Sequence, residues 1–260
     1  FVDTVLRARE PQSGVLASLQ GRAFTAVDRY SADGVAAGLW RDGCRGAALA
    51  AVPGSAEQLL WAKAYLRAAA LAPQDVRWVL DGGVPGLEVS VDVSWLGWQS
   101  LAAQGSASDA ELAAALAADD TATGQMAHLK ATMSRPDPGV KEEAWRRAHT
   151  VEGETNDAVD ALMDGFGAPG QDALRAKFTG RYFEHLTEVW RDHPIEIAMR
   201  LVQDGFPVDA VEAGHRWLRE HPDAPEALRR LVREEVYEAE VAAHVRSANA
   251  RAVPAPRSRL

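Results

Sequence analysis

The sequence predicts an all-α protein, and three observations support that prediction. Apolar residues return at spacings of three, four and seven along most of the 260 residues, which is the period of a helix packed on one face. Alanine-rich runs such as residues 112–118 favour helix. Turn signals interrupt the pattern at intervals of ordinary helix length. We therefore expect a superhelical α-solenoid of stacked antiparallel helix pairs, similar to HEAT or armadillo repeats.

The turn signals divide the chain into about a dozen predicted helices. The first of them carry Val15, Leu19, Phe24 and Val27 at helical spacing, and the same pattern returns after residue 58. Breaks are expected at EPQSG, at residues 31–34, and at VPGS, APQD, QGSASD, SRPDPG, GAPG and EHPDAP. These breaks are short, as the loops of antiparallel helix pairs are.

One segment alternates like a strand. In VPGLEVSVDVSW, residues 84–95, apolar and polar residues nearly alternate, but no second strand is predicted that could pair with it. An unpaired strand would leave its backbone groups without partners. The segment therefore predicts an extended connection that ends at Asp92, which would cap the helix carrying Trp95 and Trp98.

A short motif occurs twice, 40 residues apart: Asp164-Gly165-Phe166 and Asp204-Gly205-Phe206. Asp-Gly also occurs at 42–43 and 81–82, close to multiples of that spacing, and off register at 33–34. We interpret each Gly as a left-handed helix C-cap and each Phe as its apolar contact, which indicates a HEAT-like repeat. A phosphate-binding loop is disfavoured, because no strand precedes the glycines and no Lys-Ser or Lys-Thr follows.

The domain prediction follows from the end of the chain. Pro225 suits a first helical position, and an apolar stripe continues from Leu228 to Ala243. Residues after Asn249 show no periodicity. We expect one helical domain over residues 1–248 and a loose tail over 249–260.

Composition excludes several classes of protein. The net charge is −9 and the 28 basic residues are scattered, so no nucleic-acid partner is expected. No apolar run is long enough to cross a membrane, and no signal peptide opens the chain, so a cytoplasmic location is expected. The single cysteine, Cys44, excludes an internal disulfide framework and suits a small buried side chain. The start at Phe1 inside an amphipathic helix indicates a piece of a longer protein.

Candidate chemical residues form no known catalytic pattern. None of the histidines at 128, 149, 185, 193, 215, 221 and 244 begins an H-E-x-x-H motif, and no two lie four residues apart. The acidic pairs at 119–120, 142–143, 152 with 154, and 234–235 are interpreted as solvated helix faces. The eight tryptophans are interpreted as fillers of helix joints rather than a ligand box. Asn156 and Lys141 are interpreted as capping or packing residues. We therefore nominate no catalytic, cofactor-binding or metal-binding residue.

Several stretches resemble, in order, the C-terminal helical domain of the aminopeptidase N family of zinc metallopeptidases, in its bacterial, actinobacterial-like branch. They are LDGGVPGLEVSVDVSWLGWQSLAAQG, DDTATGQMAHLKA, KEEAW, TNDAVDALMDGFGAPGQDAL and RYFEHLTEVW, and they cover roughly residues 50–235. The landmarks are Leu80-Asp81-Gly82, Pro85-Gly86-Leu87, Trp95, Gly105, Asp120-Thr121, Gly124, Lys141, Ala144-Trp145, Asn156, Gly165-Phe166, Pro169, Gln171, Tyr182-Phe183, Trp190 and Phe206-Pro207.

The resemblance implies a role in a larger enzyme. In that family a separate catalytic domain carries the H-E-x-x-H zinc motif and a G-x-M-E-N loop that binds the substrate's amino terminus, and this chain contains neither. The chain would then be a cap that shapes or closes the peptide chamber, inactive alone, with the catalytic domain of the same parent chain as its partner. Zinc and peptide substrates would belong to the parent enzyme.

Two other hypotheses stay open from the sequence. A free-standing α-solenoid scaffold would bind another protein along its concave face and would share the same fold. An exposed hydrophobic face near the N-terminal end would favour a fragment over a scaffold. An enzyme with an unrecognised active site is the third hypothesis.

Overall fold

The computed structural model describes residues 1–7, 10, 12–31, 34–69, 71–151 and 153–252. Within these residues the regular structure is entirely helical, which confirms the all-α class. The α-helices are α1 (Val2–Arg7), α2 (Ser13–Tyr30), α3 (Gly34–Ala50), α4 (Ala56–Leu66), α5 (Pro73–Leu80), α6 (Val91–Ala103), α7 (Asp109–Ala118), α8 (Ala122–Met133), α9 (Pro138–Ala148), α10 (Asn156–Phe166), α11 (Asp172–Arg175), α12 (Thr179–Asp192), α13 (Ile195–Asp204), α14 (Val211–Glu220) and α15 (Glu226–Ala252). A 3₁₀ turn, Ala176–Phe178, joins α11 to α12.

The chain divides into two compact units, residues 1–96 with 241–260 and residues 97–240. In the first unit α3 packs against α1, α2 and α4. Its core contains the fully buried Cys44, and Trp40 meets Trp61 with ring centroids 6.1 Å apart. Burial raises the pKa of the Cys44 thiol, so the interpretation of Cys44 as a small buried side chain is confirmed.

In the second unit α10 is central, since it contacts α8, α9 and α13. Its core is aromatic: Trp145, Phe166 and Phe178 lie within 5.0–5.4 Å of one another, centroid to centroid. Many contacts in both units join helices that are neighbours in sequence, as in stacked helix pairs. The superhelical HEAT-like arrangement of those pairs stays a prediction.

The predicted breaks coincide with observed helix ends, and side chains cap the helices that follow three of them as well as α8. Ser55, Thr121 and Asp137 each accept hydrogen bonds from backbone N–H groups in the first turn of the helix that follows. Ser108 and Glu111 form a reciprocal capping box at the start of α7.

The interpretation of the repeated Asp-Gly motif is wrong for most of its members. Gly82 has a φ of 78° and closes α5 as a Schellman cap, because Gly83 N–H donates to the Trp78 carbonyl and Gly82 N–H to the Val79 carbonyl. Gly165, in contrast, lies inside α10. Gly205 does cap the end of α13, as predicted, but with a right-handed φ of −81°. Gly43 lies inside α3, and Asp33 lies outside the described residues.

Close packing explains why glycine is nevertheless found at 165. A Cβ atom there would lie 2.5 Å from the Met133 Cβ and 2.9 Å from the Lys130 carbonyl oxygen, both on α8. The glycine therefore allows α10 to approach α8 closely, rather than allowing the backbone to turn.

The segment is a connection rather than a strand, as predicted, but it begins with a turn at residues 84–87 and its end was misplaced. Residues 87–90 are non-helical, and α6 begins at Val91, so Ser90 precedes the helix and Asp92 lies in its first turn. The carboxylate of Asp92 pairs with the Lys63 ammonium at 3.2 Å instead of capping. A negative charge in the first turn still interacts favourably with the helix dipole.

The last helix begins one residue later and ends later than predicted. It starts at Glu226, directly after Pro225, and continues through Asn249 to Ala252. Residues 253–260 lie outside the described residues, so the loose tail stays a prediction, as does the single-domain boundary at 248. None of the described helices is both long and apolar enough to span a membrane.

Candidate functional site

A fully buried lysine holds two helix ends together in the second unit. Lys141, on α9, has no exposed surface, and its Nζ donates to the carbonyl oxygens of Met133 at 2.9 Å and Gly165 at 2.6 Å. These carbonyls belong to the last turns of α8 and α10, whose final carbonyl groups have no partner within their own helix. Lys141 thus caps both helices from outside, as the capping interpretation predicted.

Gln171 extends this arrangement to a third helix end. Its Nε2 donates to the Ser134 carbonyl at 2.8 Å, just after α8, and to the Ala103 carbonyl at 2.9 Å, at the end of α6. We call Lys141, Gln171 and the four carbonyl groups they bind the carbonyl hub. The hub ties the C-terminal ends of α6, α8 and α10 to one another.

Two opposing effects act on the charge of Lys141. Burial, and secondarily the nearby Arg175, lower the pKa of Lys141 to about 7. Two carbonyl acceptors at the negative ends of helix dipoles favour the charged ammonium. Because the side chain is closed to solvent, the geometry supports a structural role and gives a substrate no access to the amine.

The first unit contains a smaller version of the same device. Gln58 is almost fully buried, and its Nε2 donates to the carbonyls of Ala48 at 3.2 Å and Pro85 at 3.0 Å. Its Oε1 accepts from Gly54 N–H at 2.8 Å. One amide thereby joins the last turn of α3 to two loops.

Two histidines repeat a capping arrangement that the sequence analysis missed. His149 stacks on Trp145 with centroids 3.9 Å apart, and its Nδ1 lies 2.8 Å from the Trp145 carbonyl oxygen. His221 does the same with Trp217, at 4.6 Å and 2.9 Å. The signal that could have revealed them is a Trp followed four residues later by a His at a helix end.

The other histidines considered in the sequence analysis do not come together in one site. His193 is buried, burial lowers its pKa, and it lies close enough to His149 for the two charges to interact. His215 instead contacts the Glu240 carboxylate at 2.7 Å. Among the described residues no three His, Cys, Asp or Glu side chains are grouped so that they could hold a metal ion.

Asn156 and the acidic pairs lie on the surface. Asn156 is exposed at the first position of α10, and Thr155 rather than Asn156 caps that helix. Glu142 pairs with Arg181 on partly exposed helix faces, and Glu154, in the loop before α10, pairs with Arg147. Glu152 lies outside the described residues.

Each unit contains a cavity of about 140 Å³. In the first unit the cavity lies between α2, α3 and α4 and is lined by residues including Gln20, Trp40 and Arg67. In the second unit three phenylalanines and an Arg175 paired with Asp172 line the other cavity.

An apolar surface on α3 is the clearest candidate for an interface. Val35, Leu39 and Leu49 are 72%, 48% and 47% exposed, and their spacing places them on one side of the helix. We call these three residues the α3 apolar face. Single exposed apolar residues are normal, but several on one helix face are typical of a surface that contacts another protein or domain.

The fold and these contacts define an all-helical domain in which buried polar side chains fix helix ends. Residues 1–240 match the family described as the ERAP1-like C-terminal domain. A protein named Aminopeptidase N, from Streptomyces lividans, is 33% identical over 240 residues. The chain therefore belongs to the ERAP1-like C-terminal domain family and is a C-terminal domain of an aminopeptidase N family enzyme, which confirms the resemblance seen in the sequence.

The match is to part of the relative. It covers 87% of this chain and 28% of the Streptomyces protein. Several landmarks of the resemblance, among them Lys141, Trp145, Phe166, Gln171 and Tyr182, are buried in the second unit. Those residues mark the architecture of the domain rather than a catalytic centre.

Proposed function

We propose that this chain is the C-terminal helical cap of a zinc-dependent aminopeptidase that removes N-terminal amino acids from peptides. The family match over residues 1–240 carries the proposal. The domain shapes or closes the substrate chamber, and its partner is the catalytic domain of the same parent chain. The parent enzyme, rather than this domain, supplies the zinc ligands and the catalytic residues.

The α3 apolar face supports this role. Val35, Leu39 and Leu49 present exposed apolar side chains on one side of α3, with the exposed Asp42 between Leu39 and Leu49, and a neighbouring domain would cover them. Burying such side chains contributes roughly 25 cal/mol for each Å² removed from water. The matched relative is much longer than this chain, so a domain that could cover the α3 apolar face is available in an enzyme of that kind.

The experiment uses the full-length parent enzyme. Leu39→Glu with Leu49→Glu places two charges on the α3 apolar face, and the charge-matched control is Val151→Glu with Ile195→Glu at two other exposed sites. We expect the first pair to lower kcat/KM for peptides at least about tenfold, since a lost domain contact of 1.4 kcal/mol has that effect. The control should stay close to wild type. Equal activity of the two doubles would contradict the role of this face.

Zinc content and peptide hydrolysis distinguish the cap proposal from the scaffold and unrecognised-enzyme hypotheses. The parent enzyme should contain one zinc ion per chain and hydrolyse peptides, and the 260-residue chain should do neither. Peptide hydrolysis by the 260-residue chain would instead support an unrecognised active site. A parent protein with no aminopeptidase activity would support the scaffold hypothesis.

Two finer features belong to the same proposal. We infer a cytoplasmic location, which the lone buried thiol of Cys44 supports because it needs no oxidising compartment. We also infer HEAT-like stacking, which is supported by the contacts between helices adjacent in sequence. Small-angle scattering of the chain tests the second, because a superhelix is more extended than a globule of equal mass.

A further inference from the structure

The last helix, α15, divides between the two compact units. Residues 226–240 belong to the second unit, and residues 241–252 belong to the first. We call residues 241–252 the strap. The two parts of α15 differ in how each is held within its own unit, and this difference decides how easily each part can open.

Apolar side chains anchor the first part of α15 but not the strap. Leu228, Val232 and Val236 are at most 2% exposed and belong to the core of the second unit. In residues 241–251, each of which the structure describes, Ala242 is the one buried side chain and most of the others are exposed. Because packing of an apolar face supplies most of the stability of a helix in a protein, the strap is held much more weakly.

Two polar side chains of the strap reach the end of α2. The Arg246 guanidinium donates through Nη1 to the Arg29 carbonyl at 2.9 Å, and the Asn249 amide donates through Nδ2 to the Tyr30 carbonyl at 2.8 Å. Arg29 and Tyr30 are the last two residues of α2, so their carbonyl groups have no partner within that helix. The strap therefore caps α2 from a position more than 200 residues later in the chain.

Both hydrogen bonds of the strap lie at the surface, which limits their strength. A guanidinium at the negative end of a helix dipole is favourable, but water competes for exposed donors and acceptors. When the strap opens, the two carbonyl groups are hydrated, so no buried polar group is left without a partner. This distinguishes the strap from the carbonyl hub, whose Lys141 has no exposed surface. Opening of the strap therefore costs little compared with unfolding of either core.

We propose that the strap is a releasable closure of the first unit: it detaches from the end of α2 as one segment while residues 226–240 stay packed. In the closed state Arg246 and Asn249 cap α2. In the released state the last turn of α2 loses these caps and frays. This inference does not depend on the aminopeptidase proposal, because the strap and α2 both lie in the first unit.

Hydrogen exchange of backbone amides, measured by NMR on the 260-residue chain, tests the release. The amides of residues 245–250 should exchange at least about tenfold faster than those of residues 230–236, and at similar protection among themselves, because they open together. Protection that falls steadily toward residue 252 would indicate ordinary fraying of a helix end. Protection equal to that of residues 230–236 would indicate a firmly packed helix. Either result would overturn the proposal.

Removal of the two donors tests the link between the strap and α2. Arg246→Met with Asn249→Leu keeps side chains of similar size at both positions and removes both hydrogen bonds to α2. We expect the amides of residues 27–30 to exchange about tenfold faster, which corresponds to about 1.4 kcal/mol and is the effect of losing two surface hydrogen bonds. Amides of α10, in the second unit, should exchange as they do in the wild-type chain.

A matched control lies within the strap itself. Arg251→Met with Ser247→Leu removes one guanidinium and one small polar group at exposed positions. Both doubles introduce methionine and leucine, which favour helix, so helix propensity does not separate them. Residues 27–30 should exchange in this control as in the wild-type chain. Equal acceleration in the two doubles, or none in Arg246→Met with Asn249→Leu, would show that the strap does not hold the end of α2 and would overturn the proposal.

Discussion

At the scale of single residues, Lys141 shows how a charged group is tolerated in a core. Its ammonium loses its hydration, which costs several kcal/mol for an isolated ion, but it gains the Met133 and Gly165 carbonyls at 2.9 and 2.6 Å. An apolar residue of equal length would avoid the cost of burying a charge. It would, however, leave two buried carbonyl groups without this donor.

Replacement of Lys141 tests that balance. We expect Lys141→Met to lower the free energy of unfolding by about 2 kcal/mol, because unsatisfied carbonyls cost about 1–3 kcal/mol each and the removed charge offsets part of the loss. Urea unfolding followed by tryptophan fluorescence measures it. Lys177→Met, at a half-exposed lysine of the same unit, should change the value by less than about 0.5 kcal/mol. Similar losses in both variants would contradict the capping role.

His149 makes a prediction for pH. Burial lowers its pKa in the folded chain to about 4, below the 6.5 of an exposed histidine. Above pH 6.5 the ring is neutral in both states and its contribution is complete. As the pH falls from 6.5 to 4 the unfolded chain takes up the proton and the folded chain does not. The free energy of unfolding should therefore fall, by up to about 3 kcal/mol from this group.

The measurement compares variants, because carboxylates also titrate near the lower end of this range. His149→Phe keeps an aromatic ring on Trp145 and removes the titrating group, so its unfolding free energy should depend less steeply on pH between 6.5 and 4. His244→Gln, at an exposed histidine, serves as the control. The prediction fails if His149→Phe and the control have the same pH dependence.

At the scale of helices, the contact of α10 with α8 depends on the absence of a side chain. At Gly165 the two helices lie so close that an added Cβ would overlap the Met133 Cβ and backbone, and the carbonyl of Gly165 accepts from Lys141. The close approach of α10 to α8 therefore also places the Gly165 carbonyl within reach of Lys141, which caps the end of α10.

An alanine at this position should separate the helices. Gly165→Ala places a methyl group 2.5 Å from the Met133 Cβ, so we expect a loss of about 2 kcal/mol or more despite the better helix propensity of alanine. In Gly180→Ala, on α12 of the same unit, the added Cβ meets nothing within 4 Å, and a gain of up to about 1 kcal/mol is expected. Thermal unfolding measures both variants. A gain in both would contradict the packing explanation.

Helices were predictable from the sequence because their signals are local. The apolar period and the Ser, Thr and Asp caps lie within one turn of the residues they affect, and the observed helices follow them. Gly165 was misassigned because the same Asp-Gly pair serves as a helix end at Gly82 and as a close contact at 165. Whether the glycine ends a helix or allows a close contact depends on its tertiary neighbour, which for Gly165 is Met133, 32 residues earlier in the chain.

The candidate sites were less predictable for the same reason. Lys141 was placed correctly among the capping residues, but its partners Met133 and Gly165 are fixed only by the fold. The cavity lined by Gln20 and Trp40 forms where three helices do not fill the space between them. No local sequence pattern predicts such a gap. The family, in contrast, was recognisable from the order and spacing of its landmarks.

At the scale of the whole molecule, net charge opposes association between copies of the chain, whereas exposed apolar surface favours it. The net charge of −9 keeps copies of the chain apart at neutral pH, and it vanishes near the sequence pI of about 5.3. At that pH, long-range repulsion no longer opposes association through the α3 apolar face. Association of the isolated chain should therefore be strongest near that pH.

Light scattering as a function of pH tests this expectation. The wild-type chain should scatter most near pH 5.3, and Leu39→Glu with Leu49→Glu should reduce that maximum. Val151→Glu with Ile195→Glu adds the same charge at other exposed apolar sites, so it separates the effect of charge from that of the α3 apolar face. Equal reductions in the two doubles would assign the association to charge alone.

The carbonyl hub also sets an order of events during synthesis. The end of α6 at Ala103 receives its hydrogen bond from Gln171, which is 68 residues further along the chain. At about 5–20 residues per second, a ribosome needs roughly 3–14 s to add that segment. During this interval the end of α6 faces water or a chaperone, so a translational pause before residue 171 would prolong the period in which the nascent domain is open to misfolding.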